Sequence, residues 1–226
     1  MSKINKKIVV LILVICMTML FTACNSKDDA WLKSADSQVG SNLSLNEKLN
    51  WGMSVDDVKA LEKGPYDSNY ETYIAVWKDM SFPADGKWKK DSESINKKAF
   101  KKTDITSYYV FNENKALFEY GSQFFDVNLY QYDFLKEYYT KKFGKPKKEE
   151  YIWNDKKYKP TGKENLHDEF KKGMVKVLTA WDIDENDTVL VIDWLNDPQK
   201  TENNYGQISF MEKTQELNTE TQSENE

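Results

Sequence analysis

Apolar positions recur along this chain with two spacings, and each spacing marks a kind of element. Between Trp51 and Pro65, Val55, Val58 and Leu61 lie three apart, on one face of a helix. Ser54 suits the N-cap, and Asp56 and Asp57 fall in the first turn, where the positive end of the helix dipole favours them. Lys63 sits at the end, Gly64 suits the C-cap and Pro65 prevents continuation. A second helix is predicted from Tyr132 to Phe143, where Leu135, Tyr138, Tyr139 and Phe143 recur at helical spacing. Gly144 and Pro146 stop it, much as Gly64 and Pro65 stop the first.

Between and after the helices the pattern shortens to that of strands. Tyr70 to Lys78 is β-branched and aromatic. Ile105 to Phe111, a turn at Asn112 to Asn114, and Lys115 to Tyr120 read as a hairpin, with Ser122 to Leu129 continuing the sheet. Met174 to Trp181 and Thr188 to Trp194, joined by an acidic turn, read as a second hairpin, and Gln207 to Glu212 adds a last strand. Two halves therefore share an order of helix, Gly/Pro stop, strand and hairpin, without a residue-level repeat. The expected fold class is α+β, an antiparallel β-sheet with helices packed on one face.

The flanks break this pattern. Basic Lys3, Lys6 and Lys7 precede an apolar run from Ile8 to Ala23, which ends in small residues before Cys24. That order is the layout of a secretory signal. The run is 16 residues long, short of the roughly 20 that span a bilayer. The cysteine after Leu20-Phe21-Thr22-Ala23 resembles a bacterial lipoprotein signal, although Phe21 stands where that pattern prefers Leu. The resemblance implies cleavage before Cys24 and lipid on its sulfur. Two acyl chains or more would hold the protein stably at the membrane, at about 0.8 kcal/mol per buried CH₂. Residues 24–46 are polar, with Trp31 and Leu32 their only sizeable apolar pair, and read as a flexible tether. Residues 214–226 hold a single leucine and read as a disordered tail. The folded unit is then 47–213, after a signal at 1–23.

Trp51-Gly52-Met53-Ser54, then Val58 and Gly64-Pro65, resembles the helix motif of small envelope lipoproteins: the SmpA/OmlA outer-membrane assembly lipoproteins and the β-lactamase-inhibitor-like proteins. The match covers about 15 residues and implies the same fold, helices on one face of an antiparallel sheet. It transfers no catalytic residue.

Cysteine and charge narrow the chemistry. The chain has two cysteines, Cys16 and Cys24. Cys16 would leave with the signal and Cys24 would be alkylated, which excludes a disulfide framework, a thiolate metal site and a cysteine nucleophile. Loss of the signal's three lysines takes the formal charge from −5 to −8. All 32 basic residues are lysine. Without arginine's planar fork, and with an acidic balance, nucleic acid is not an expected partner. A genome poor in G and C, weakly suggesting a Gram-positive source, fits the same bias. The seven tryptophans all follow Cys24; they fill a sheet core or form a sugar or peptide platform.

Candidate sites are few. Asp79 to Asp104 lacks clear periodicity and contains seven lysines with Phe82, Trp88, Ile95 and Phe100. Segments of this kind are often functional, so Trp88, Lys97, Lys98, Phe100, Lys101 and Lys102 form a candidate partner-binding or membrane-facing loop, against a solvated loop with Phe100 tucked inward. Asp182, Asp184, Asn186 and Asp193 partly match a calcium loop. Asp187 replaces the turn glycine and strands flank the segment, so an acidic hairpin turn is the better account. His167, the sole histidine, reads as a surface residue. Lys141 to Lys163 interleaves lysine with Tyr151, Trp153 and Tyr158 and reads as solvated surface. The expectation is a lipid-anchored, non-enzymatic binding or scaffold protein of the envelope without cofactor or metal, binding another envelope protein or a ligand. The rivals are a carbohydrate- or small-ligand-binding or carbohydrate-active protein using Trp88 or Trp153, and an inhibitor or immunity lipoprotein.

Overall fold

A computed structural model describes residues 29–38, 43, 46–89, 94–154, 165–183, 187–196 and 204–213. The signal, Cys24 and the 214–226 tail lie outside the described residues. Eight strands form one antiparallel sheet: β1 (Tyr66–Asn69), β2 (Tyr73–Pro83), β3 (Phe100–Phe111), β4 (Leu117–Phe125), β5 (Lys148–Trp153), β6 (Val175–Ile183), β7 (Thr188–Leu195) and β8 (Tyr205–Glu212). Their spatial order is β1-β2-β3-β4-β8-β7-β6-β5. The helices are α1 (29–38), α2 (Val55–Glu62), α3 (Leu129–Phe143) and α4 (Leu166–Lys171).

The order resolves the chain into two halves. A helix, α2 or α3, leads each one, and a four-strand meander follows, with α4 set between β5 and β6. The halves meet through their last strands, β4 against β8, from Glu119↔Met211 to Phe125↔Tyr205. This is the α+β class expected from the sequence.

Local chemistry fixes the helix ends. Ser54 Oγ accepts from Asp57 N–H at 3.2 Å, and Asp57 Oδ2 accepts from Ser54 N–H at 3.2 Å, a reciprocal capping box. Ser54 Oγ–H also donates to Asp57 Oδ2 at 2.6 Å, and this bond, with the one from Ser54 N–H, holds the Asp57 carboxyl below its usual range. The left-handed cap residue is Lys63 (φ 52), one position before the expected Gly64, which is left-handed too (φ 46). Helix α3 begins three residues before the expected Tyr132, because Asn128 caps it: its Oδ1 accepts from Tyr130 and Gln131 N–H, while Gln131 Oε1 accepts from Asn128 N–H at 2.9 Å.

All four of the described helices pack on one face. Strand alternation sends Ile74, Val76, Met80 and Phe82 of β2 into the core. Phe134 of α3 meets Trp31, Phe82, Trp88 and Phe100 at ring separations of 6.0, 6.1, 5.2 and 5.5 Å. Tyr132 shares a 2.6 Å hydrogen bond with Thr179 of β6. Tyr139 donates to the Leu43 carbonyl at 2.6 Å.

Two expectations are corrected. Residues 29–38, expected within a tether, are helical, with Trp31 and Ala35 buried one turn apart and Tyr138 Oη donating to Asp36 Oδ1 at 2.5 Å. Two apolar groups on one face dock this helix despite its polar composition. Much of Asp79 to Asp104 is strand: β2 runs to Pro83, β3 starts at Phe100, and the two residues pair. Ser81, Lys101, Lys102 and Thr103 lie in those strand ends, so no apolar stripe announces them.

Candidate functional site

The described helices all lie on one side of the sheet, and none of them covers the other side. Side chains reaching it come from the strand positions opposite in parity to the core. One row across the sheet is Trp77, Thr106, Gln123, Gln207, Asp193 and Leu178, and the next is Ala75, Tyr108, Gly121, Ser209, Val191 and Ala180. Both rows cross the seam between the halves.

The middle of this face is locked by polar contacts. Tyr108 lies over Gly121, which offers no side chain to block it, and is only 5% exposed. Its hydroxyl donates to Glu119 Oε1 at 2.8 Å, accepts from Gln207 Nε2 at 2.9 Å and lies 2.6 Å from Ser209 Oγ. Burial, and then the Glu119 charge, push the Tyr108 phenol well above its ordinary value. Towards β6, Lys176 Nζ meets Asp193 Oδ2 at 2.7 Å. Burial pulls the Lys176 pKa down, but its hydrogen bond and ion pair with Asp193 outweigh that, and the net shift is upward.

Apolar exposure is concentrated towards the β2 side. Trp77 is 49% exposed and Phe125 is 43% exposed, and their rings lie 6.5 Å apart at 30°. They flank a depression of about 430 Å³, lined also by Lys102, Thr103, Asp104, Asp126 and Gln131. Lys102 pairs with Asp79 at 3.4 Å, but both side chains are largely exposed, so the pair contributes little. No cation among the described residues pairs with Asp104 or Asp126. Gln131 is 5% exposed. Its Oε1 is committed to the Asn128 N–H, and its amide N–H groups meet no acceptor among the described residues.

Other clefts lie on the helix side and near Trp51. One, of about 530 Å³, lies where α4 approaches the start of α3. There His167 Nε2 lies 2.9 Å from Asp133 Oδ2, and its ring packs on Tyr130 at 4.3 Å. The histidine is thus half-buried and bonded. Another, of about 270 Å³, is bordered by Trp51, whose Nε1 donates to Thr188 Oγ1 at 3.2 Å. Trp51 of the Gly-Met-Ser motif therefore ties the α2 approach to the second half.

The sequence-predicted site residues separate. Trp88 is fully buried, which corrects its place in a partner loop or sugar platform: Asp85 caps the 3₁₀ turn Gly86–Trp88 and the indole tucks against Trp31 and Phe134. Phe100 packs on Phe134, while Lys97, Lys98, Lys101 and Lys102 are exposed. Trp153 is half-buried against the core. Asp182 and Asp193 lie on flanking strands, and Asp184 and Asn186 lie outside the described residues. Cys24 lies outside them too. Sequence reasoning missed Trp77, Phe125, Asp104, Asp126 and Gln131. The usable signal for Trp77 was parity, since it alternates with Val76 and Ile74 in β2.

Among the described residues no group of three or more His, Cys, Asp or Glu side chains is placed to hold a metal ion, and no helix is long and apolar enough to cross a membrane. The carboxyl groups with shifted pKa values among them, Asp57 and Glu149, both move down. For Glu149, hydrogen bonds from Lys136 and Tyr151 outweigh burial, which acts upward. No family model, curated protein or solved structure matches the chain.

Proposed function

We propose that this chain is a lipid-anchored, extracytoplasmic binding or scaffold protein of the cell envelope, without enzymatic activity, and that it binds on the open face of its sheet. The observation carrying this reading is the one-sided packing: eight strands present a face that none of the described helices covers, with Trp77 and Phe125 exposed side by side on it. Exposed apolar groups gathered on one surface mark interaction sites more often than scattered ones do. The anchor rests on the basic, apolar and small-residue order ending at Cys24. It places the domain at the outer face of the cytoplasmic membrane.

The test is site-specific photocrosslinking on intact cells. A crosslinker at Gln123, in the middle of the open face, is expected to capture a discrete envelope component. The same group at Ala60, exposed on α2, is expected to capture none. Equal capture from both positions, or capture from Ala60 alone, would overturn the assignment of the face. Cys24→Ser is expected to release the protein from the membrane or leave it unprocessed; normal processing and retention would remove the lipid anchor. A second reading, saccharide binding, is favoured by the Trp77–Phe125 depression.

A further inference from the structure

We infer that the depression between Trp77 and Phe125 is a saccharide subsite, built for a pyranose ring of an uncharged or amino-sugar chain. The inference rests on the open face being the binding face. Single exposed aromatics are ordinary; here two share one surface, 6.5 Å apart and 30° from coplanar. That arrangement offers a platform to the C–H face of a sugar ring. Around it stand hydrogen-bonding groups of both kinds. Asp104 and Asp126 are acceptors with no cation among the described residues. Gln131 supplies the complementary donor: its side chain is buried and lines the depression, its Oε1 is held by Asn128 N–H at 2.9 Å, and its amide N–H groups are uncommitted among the described residues. The amide nitrogen is not one of the buried polar atoms left without a partner, so solvent reaches it through the depression, and a ligand oxygen would take the place of that water.

The combination selects among ligands. Sugar hydroxyls both donate and accept, so one ring can serve Gln131 and the carboxylates together. A lysine ammonium could pair with Asp104 and Asp126 and sit over Trp77, but that group only donates and leaves Gln131 to the peptide carbonyls, whereas each hydroxyl of a sugar ring can serve either role. A phosphate or uronate polymer would meet two uncompensated carboxylates.

The test is calorimetric titration of the full chain, held in a detergent without a sugar headgroup. The probes are chitotetraose, cellotetraose and tetralysine. At least one tetrasaccharide is expected to bind. Trp77→Ala and Gln131→Glu should each weaken binding by about tenfold or more. Gln131→Glu keeps the acceptor that caps α3, removes the donors and adds a negative charge near Asp104 and Asp126, so an unchanged unfolding midpoint is required to separate lost recognition from lost fold. Binding of tetralysine alone, no binding of either sugar at millimolar concentration, or sugar binding indifferent to both variants would overturn the subsite. If the sugars fail while Gln123 still crosslinks a discrete envelope protein in cells, the subsite falls and the open-face reading stands. If both fail, both fall.

Discussion

Gly121→Ala tests whether the seam between the two halves is as tight as its geometry implies. Gly121 pairs with Tyr108 on β3 and with Ser209 on β8. A Cβ there would lie 1.9 Å from the Ile208 carbonyl oxygen, 2.7 Å from Tyr108 Oη and 2.9 Å from Tyr108 Cζ. The first neighbour is backbone and cannot rotate away, so β4 and β8 must part. Displacing Tyr108 also loses its contacts with Glu119, Gln207 and Ser209, worth about 1 kcal/mol each. Overpacking adds about 1–3 kcal/mol. The expected cost is therefore about 4–6 kcal/mol, a large share of the roughly 5–15 kcal/mol that holds a typical domain. Urea unfolding followed by tryptophan fluorescence should show a sharply lower midpoint. Adding Tyr108→Ala should restore none of the loss, because the carbonyl clash remains and the Tyr108 hydrogen bonds are absent either way. A single variant within about 1 kcal/mol of the parent, or full rescue by Tyr108→Ala, would refute the reasoning.

Trp31→Ala should destabilise the domain by about 3–5 kcal/mol, the usual cost of deleting a buried large aromatic, and should raise amide exchange across 29–38; an unchanged unfolding midpoint would return that segment to a tether. Alkali should unfold the protein cooperatively. Burial raises the phenols of Tyr108, Tyr109, Tyr132 and Tyr139, and takes Tyr120 up to about 12. Above pH of about 10 the unfolded chain releases these protons while the folded chain keeps them, so stability falls by about 1.4 kcal/mol per pH unit for each such group. Below that pH their contribution is fully present. Tyrosinate absorbance should therefore rise together with loss of structure; smooth titration near pH 10 with the fold intact would contradict it.

What could be read from the sequence was whatever local chemistry encodes. Helix α2 was legible because cap, dipole, apolar spacing and stop agree within 15 residues, Trp51 to Pro65. The central strands were legible through their β-branched and aromatic runs. Strands β1 (Tyr-Asp-Ser-Asn) and β5 (Lys-Glu-Glu-Tyr-Ile-Trp) were not, and both are edge strands. An edge carries charge and little apolar surface, which guards it against pairing with other chains and also erases the alternation that identifies a strand. Helix α1 hid because Trp31 and Ala35 are a minimal stripe among polar residues. Trp88 misled for the opposite reason: a tryptophan among lysines looks exposed, yet a three-residue 3₁₀ turn is enough to bury it. The candidate site was the least legible part. Whether Trp77 faces core or solvent depends on parity, and its nearness to Phe125 depends on strand register, which no local pattern states.

The place of the depression in the topology explains why its residues are so scattered. Trp77, Thr103 and Asp104 come from β2 and β3, whereas Phe125, Asp126 and Gln131 follow one another where the first half hands over to the second. That handover is sharp. Strand β4 ends at Phe125, Asp126 takes a left-handed backbone (φ 52), and Asn128 already caps α3. Aspartate tolerates this conformation better than most residues, so a turn-former and an exposed acceptor coincide in one side chain. Gln131 is likewise fixed by its capping duty, which orients its oxygen and leaves the other end of its amide available. An appended platform would need its own supporting loop; here the supports are the β2–β3–β4 ladder and the cap of α3, which the fold needs in any case. A saccharide at Trp77 would therefore contact the last residues of one half and the first helix of the next. Binding there should stiffen the β4–α3 connection more than the seam beyond it, where Tyr108 is already locked.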